Sequence, residues 1–247
     1  MIVPDYVNRV TDNQPKPLTR EMFLSFLRGT DVKMNCEIVR QHKPNAEAYK
    51  RLLPAVTWQS TFSGKLRTDA NAEPTGLFCL DVDIHHEDMF KLLCKEKSPE
   101  EAYAWAENEA RHRAQSWANY MKWQNETPQM YDRGLRIVGI HVSPSGTGVH
   151  VISGCYDHCK TIEENQAQLA RTLDTSYDAV CKDWARIFFL TPEEDWTYLD
   201  LDSIFGEQNN DKKNNPIKDG GGTRCRFRSP PKGGWGVFPR HLQQYPL

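Results

Sequence analysis

The run Gly76-Leu77-Phe78-Cys79-Leu80, followed by Asp81-Val82-Asp83, constrains this chain more than any other stretch. An apolar run of that length reads as a buried strand. Successive strand side chains point to opposite faces. Asp81 and Asp83 therefore share one face, ~7 Å apart from a rise of ~3.3 Å per residue, while Val82 points into the core. Two carboxylates at the end of a buried strand repel each other and resist desolvation. A divalent cation between them makes the arrangement tolerable, and hard ions such as Mg²⁺ and Mn²⁺ take oxygen ligands of this type. The pattern is the one expected of an enzyme that moves phosphoryl or nucleotidyl groups.

The 247 residues suffice for one large domain or two small ones. With 38% hydrophobic residues, seven Trp, nine Tyr and ten Phe, the chain can build a core and is not globally disordered. The net charge of −2 excludes a chain-wide basic field, so any nucleic-acid contact must come from local patches. Seven Cys at irregular spacing, with no CxxC, suit a reduced protein with free thiols. The N-terminus lacks a signal-like apolar run, and no apolar stretch approaches 18 residues, so a cytoplasmic protein without a membrane segment is expected.

Residues 1–20 are polar and contain Pro, which predicts an extended arm. Helical spacing follows over Leu18–Arg28, and a second short helix is expected over Lys43–Leu53, stopped by Pro54. Ala55–Phe62 reads as a strand and Ser63–Pro74 as a loop. Ser98-Pro99-Glu100-Glu101 is a strong helix start, with that helix running to about Gln124. Its Trp105, Trp117, Tyr120 and Trp123 read as a core-facing stripe. Leu135–His141 and Val149–Ser153 predict a hairpin around a turn-rich tip. A capping box at Thr161–Glu164 opens a helix expected to reach Ala179, and Arg186–Leu190 reads as a short strand. Residues 192–207 hold six acids and no base; from Lys212 the balance reverses, with eight Lys/Arg against Asp219 alone. These shifts divide the chain into an N-terminal segment of arm and helices (1–50), a core (51–208) and a basic Gly/Pro-rich tail (209–247).

Two further segments carry chemistry. In Ser143-Pro144-Ser145-Gly146-Thr147-Gly148-Val149-His150, small residues allow backbone N–H groups to approach an anion, and His150 begins the next strand where it can donate to a phosphate oxygen. A plain hairpin turn explains the same residues. In Asp178-Ala179-Val180-Cys181-Lys182-Asp183-Trp184-Ala185-Arg186, Asp178 and Asp183 are rival third carboxylates, and Arg186 can reach phosphate. A surface ion pair is the bland reading of this stretch.

In order, Asp-hydrophobic-Asp on a strand, Ser-Gly-x-Gly-x-His, and an Asp followed eight residues on by Arg resemble the archaeo-eukaryotic primase superfamily. Leu53-Pro54-Ala55-Val56-Thr57-Trp58 with Phe62, the Asp81/Asp83 strand, the Ser143–His150 segment and Asp183-Trp184-Ala185-Arg186-Ile187-Phe188-Phe189-Leu190 are similar to one branch of it. That branch is the primase-like domain associated with virulence-associated-E-type helicases of mobile elements and phages. The resemblance covers roughly residues 50–195. It implies an α+β fold: a small α/β unit beside a modified RNA-recognition-like antiparallel sheet with flanking helices. It implies two Mg²⁺ or Mn²⁺ ions held by Asp81, Asp83 and Asp178, with Asp183 as the rival. It further implies a nucleotide site made by Ser143, Ser145, Gly146, Gly148, His150 and Arg186. The expected partners are single-stranded DNA, nucleoside triphosphates and a separate helicase, since no Gly-x4-Gly-Lys-Ser/Thr motif occurs in this chain.

The activity so implied is template-directed primer synthesis or extension. A non-catalytic single-stranded nucleic-acid binder of the same fold, or a metal-dependent nuclease on the same carboxylates, are the alternatives. Lys65, Arg67 and the Arg224, Arg226, Arg228 cluster around Phe227 are candidates to track the template. Cys155-x2-His158-Cys159 with Cys181 lacks a second clean pair, so zinc is not expected. His85-His86-Glu87-Asp88 reads as a solvated loop, and Asp200-Leu201-Asp202 as surface or a helix start.

Overall fold

The computed structural model describes residues 2–41, 46–126 and 135–206. The N-terminal arm is in fact a sheet edge: β1 (Asp5–Val7) pairs with β2 (Lys16–Pro17) and, on its other side, with β3 (Ala55–Thr57). Asp5, only 1% exposed, holds this junction by accepting the Phe62 N–H at 2.7 Å. Such long-range pairing leaves no local signature in a polar segment.

Helix α1 (Arg20–Leu27) starts where expected, capped by Thr19, whose hydroxyl accepts the Met22 N–H. Helix α2 (Thr30–Arg40) was not expected from the sequence; its buried Val32, Cys36 and Val39 keep helical spacing between charged residues. Helix α3 (Ala46–Lys50) is shorter than expected. The strand expected over Ala55–Phe62 is broken into β3 and β4 (Ser60–Thr61), because the Thr57 hydroxyl lies 2.8 Å from the Ser60 carbonyl and folds the chain at Trp58-Gln59. β4 pairs with β5 (Glu73–Pro74).

β6 (Leu77–Asp83) is buried through Leu80, as its apolar run requires. After it come α4 (Asp88–Glu96), α5 (Pro99–Glu126), β7 (Ile137–Val142) and β8 (Gly148–Gly154). Ser98 and Glu101 cap α5 reciprocally, each side chain accepting the other's backbone N–H. The buried stripe of α5 is not the expected aromatic one. Ala102, Ala106, Ala110, Ala114 and Ala118 are fully buried, joined by Trp117 and Met121, while Trp105 and Tyr120 are half-buried and Trp123 is exposed. Small side chains let the helix backbone lie close to the sheet, and Thr197 Oγ1 donates to the Ala114 carbonyl there at 3.1 Å.

Helix α6 (Ile162–Leu173) has the expected capping box but ends six residues before Ala179, where Asp174 turns left-handed at φ 51°. β9 (Phe188–Phe189), β10 (Trp196–Leu199) and α7 (Leu201–Phe205) complete the described chain. Asp200 caps α7 through the Ser203 N–H, which makes Asp200-Leu201-Asp202 a helix start.

All described strand pairings are antiparallel, in an α+β arrangement. One sheet has the order β2-β1-β3-β9 and the second β10-β7-β8-β6. A shared core holds Val56 and Phe188 of the first sheet against Cys79 and Ile152 of the second. Phe23 of α1 sits in it, with Trp58, Trp196 and Phe205 rings 5.5–6.0 Å away. By strand alternation, Leu77, Cys79, Asp81 and Asp83 lie on this shared face. Phe78, Leu80 and Val82 lie on the other, where α6 packs on β6 and α5 on β7 and β8.

Candidate active site

The polar end of the shared face is set by register. Asp81 on β6 opposes His150 on β8, which opposes His141 on β7, which opposes Trp196 on β10. Gly139, two residues back on β7, leaves room for this row: a Cβ there would stand 2.9 Å from the Trp196 ring, which stacks on His141 at 4.2 Å. His150 places Nε2 3.4 Å from Asp81 Oδ1 and is itself 5% exposed, with the Phe188 ring 5.6 Å away. In this geometry His150 touches the Asp81 carboxylate rather than an open pocket.

Asp178 reaches the same place because α6 stops early. The irregular segment after Asp174 brings the Asp178 N–H onto the Asp81 backbone carbonyl at 2.8 Å. The Cys181 thiol lies between the two side chains, 3.3 Å from Asp178 Oδ2 and 3.6 Å from Asp81 Oδ2. Three braces hold this segment. Gln166 of α6, fully buried, donates from Nε2 to the carbonyls of both Cys79 and Cys181 at 2.9 Å. Gln59 donates to the Asp183 carbonyl at 2.8 Å. Ser60 donates to the Trp184 carbonyl at 2.9 Å. Asp183 points elsewhere, pairing with Arg186 at 3.0 Å, so Asp178 is the carboxylate brought to Asp81.

Asp83 carries a different company. A single 3-10 turn, Ile84–His86, folds both imidazoles back toward it: His85 Nδ1 at 3.7 Å and His86 Nδ1 at 3.5 Å. The expected solvated loop is thus half-buried at His85 and part of the site. The hairpin tip abuts the same carboxylate. A Cβ on Gly148 would come within 3.2 Å of Asp83 Oδ1 and 2.9 Å of the Val82 carbonyl. Ser143, Ser145 and Thr147 hydroxyls form a chain at 3.0 Å spacings that ends 3.3 Å from His85 Nδ1. Gly146, at φ +79°, packs against Arg40 and Glu107. The tip is therefore a buried turn bonded to itself, with Ser145 half-buried.

Burial works against ionisation of Asp81, yet the charge and hydrogen bond of His150, then Cys181 and Lys50, hold its carboxyl below the usual range. Asp83 moves the other way, raised by burial and then by the charge of Asp81, against His85, His86 and His150. Burial lowers His85, with Asp83 opposing and His86 adding to the effect. Burial, then Asp81 and Asp178, keep the Cys181 thiol protonated far above its ordinary pKa.

The donors fit divalent cations. Asp81 Oδ1 is buried, and the contact it makes is the long one with His150 Nε2 at 3.4 Å. Among the described residues two groups offer three donors within 4.8 Å of one another: Asp81, Asp178 and Cys181, and Asp83, His85 and His86. Asp83, His86, Tyr177 and Asp178 border a cleft of about 390 Å³, which meets a groove of about 900 Å³ along α6 at Ser176 and Tyr177.

Arg186 spends its guanidinium on the Val180 carbonyl and Asp183, and its Nε is buried without a partner. Arg67 donates to the Ala185 and Val10 carbonyls, and burial, then the charge of Arg186, lowers its pKa. It is a clamp on the segment leading into β9. Lys65 is exposed, 3.9 Å from Glu73. Arg224, Arg226 and Arg228 lie outside the described residues. Among the described residues, Cys155, His158 and Cys159 form no such donor group, and Cys181 belongs to Asp81 and Asp178. Sequence reasoning weighed Cys181 only beside Cys155, His158 and Cys159 for zinc, and missed His141 altogether; the Cys181 position, three residues after Asp178, was the available signal for its place here.

A scan against protein-family models and searches of curated proteins and of solved structures return no match. No helix among the described residues is long and apolar enough to cross a membrane.

Proposed function

We propose that this chain is a primase-polymerase, a template-directed nucleotidyltransferase that makes or extends primers on single-stranded DNA. The observation that carries the reading is the convergence of Asp81, Asp83 and Asp178 at one end of the second sheet, with Asp81 Oδ1 buried and met by His150 Nε2 only at a long 3.4 Å.

Asp81, Asp83 and Asp178 hold two Mg²⁺ or Mn²⁺ ions. When bound, such ions activate a 3′-hydroxyl and neutralise charge on the leaving pyrophosphate. The protein's own groups position these ligands. His150 fixes the Asp81 carboxylate from across the ladder, and His141 backs it edge-on, with ring centroids 4.8 Å apart. The Asp178 N–H and Gln166 tie the third carboxylate to β6. The cleft of about 390 Å³ is of the size that takes a small ligand such as a nucleoside triphosphate. Neither Arg186 nor the Ser143–Gly148 tip borders this cleft, so Arg186 would meet phosphate only by exchanging Asp183 for phosphate oxygen. A single-stranded template, and a helicase as a separate partner, follow from the same reading, as does an intracellular setting in mobile-element or phage replication.

The test is primer extension and de novo priming on single-stranded DNA, with Mg²⁺ and Mn²⁺ in parallel, for the wild type and the Asp81→Asn/Asp83→Asn double variant. Products that lengthen with added nucleotide in the wild type and fall to background in the variant support the reading. Binding without growth makes the domain a non-catalytic binder; shortening of the strand without nucleotide makes it a nuclease.

A further inference from the structure

The turn after β6 places two imidazoles on one carboxylate. His85 Nδ1 stands 3.7 Å from Asp83 Oδ1 and His86 Nδ1 3.5 Å from Asp83 Oδ2. Both distances exceed the ~3.2 Å reach of an N–H···O hydrogen bond. Ligands held at ~2.1 Å from a shared ion lie roughly 3.0–3.4 Å apart in octahedral or tetrahedral geometry, so a small contraction seats one. The two rings lie side by side with centroids 4.1 Å apart.

The turn that carries the donors is braced, and Thr147 Oγ1 lies 3.3 Å from His85 Nδ1. The Ile84 N–H donates to the Thr147 carbonyl at 3.0 Å, and the Glu87 N–H to the Ile84 carbonyl at 3.0 Å. Arg113 of α5 then grips the Glu87 carboxylate with two nitrogens, at 2.6 and 2.9 Å, and the Ser176 hydroxyl donates to it at 3.1 Å. On the open side the set faces the cleft bordered by Asp83 and His86. Three protein donors and an open side match an exchangeable site rather than a closed structural one.

We propose that Asp83, His85 and His86 form a transition-metal site that takes ions of the Mn²⁺, Co²⁺ and Zn²⁺ class in preference to Mg²⁺. Imidazole nitrogen suits these ions, whereas Mg²⁺ demands oxygen and gives up its water reluctantly. Of the two ions proposed above, the one on Asp83 thus meets two nitrogen donors, while Asp81 offers the other ion Asp178 and Cys181. The assignment stands on the donor set and does not rest on the polymerase reading.

Co²⁺ alone is the probe, added to the full chain without nucleotide or template and followed by its visible absorption. The wild type is expected to bind Co²⁺ saturably, and excess Mg²⁺ is expected to leave the bands in place. His86→Ala, at a side chain 69% exposed and so without cost to the fold, is expected to weaken binding at least tenfold, the order of ~10–100-fold that even outer partners of a site produce. Cys181→Ser is expected to leave these bands unchanged. Unaltered Co²⁺ binding in a folded His85→Ala/His86→Ala variant, or displacement of Co²⁺ by equimolar Mg²⁺, overturns the proposal. Loss of polymerase activity with these bands intact counts only against the function proposed above.

Discussion

His141 shows what the site demands of a single residue. It is fully buried, its Nδ1 lies 3.0 Å from the Val142 carbonyl and from Thr191 Oγ1, and Nε2 has no partner. The carbonyl only accepts, so it takes a proton carried on Nδ1. Burial, then the neighbouring His150 and more weakly Arg40, hold its pKa well below the ordinary imidazole value, while Val142 and Asp81 act the other way. The unfolded chain takes up a proton near pH ~6.5 that the folded ring refuses. The sign follows: this residue costs no stability above that pH and progressively more as the pH falls below it. The denaturant midpoint of the wild type is expected to drop between about pH 7 and 5, His141 contributing up to ~1.4 kcal/mol per pH unit, and His141→Phe is expected to flatten the slope. Equal slopes in the two proteins would place the acid sensitivity at another group. None of this was legible in the sequence, where His141 is simply the end of a strand.

At the scale of elements, legibility followed locality. β6, the β7–β8 hairpin and the start of α5 carry their own signals: an apolar run, two strands around a turn-rich tip, and a Ser-Pro-Glu-Glu cap. The end of α6 carries none. Residues after Asp174 are as suited to helix as to loop, and the chain leaves the helix because Asp178, Cys181 and Arg186 find partners on β6 and within their own segment. The stripe of α5 was misread because Trp residues outrank Ala in any hydrophobic count, while close approach to a sheet selects for small side chains. Gln166 is the element-level hinge of the site. Gln166→Ala leaves the Cys79 and Cys181 carbonyls buried without this donor, at a cost of about 1–3 kcal/mol. The expected result is a lower urea midpoint with unchanged m-value, and weaker divalent-ion binding as Asp178 loosens. A variant with wild-type ion affinity would show that the Asp178 N–H to the Asp81 carbonyl suffices.

Across the whole described molecule, distant segments are joined by buried polar contacts. Asp5 reaches Phe62 in the first sheet. Arg40 at the end of α2 reaches Asp195 beside β10, at 2.5 Å, with the two side chains 17% and 2% exposed. Burial raises Asp195, and Arg40 opposes it by hydrogen bond and charge. Arg40→Met strands that carboxylate, which should cost about 3–5 kcal/mol in a thermal or urea melt, and Arg40→Met/Asp195→Leu should recover much of the loss. A near-neutral single variant would mean that Asp195 finds solvent. By itself the sequence determined that two carboxylates share one face at the end of a buried strand, because side-chain alternation is a property of the backbone alone. It also determined that a small-residue hairpin tip, a His and a further Asp-to-Arg segment follow. Only the tertiary structure decided that Asp178 rather than Asp183 meets Asp81, that His85 and His86 turn onto Asp83, and that a thiol stands between Asp81 and Asp178. Those choices depend on which segments pack together, and packing joins residues a hundred positions apart whose local preferences are silent about each other.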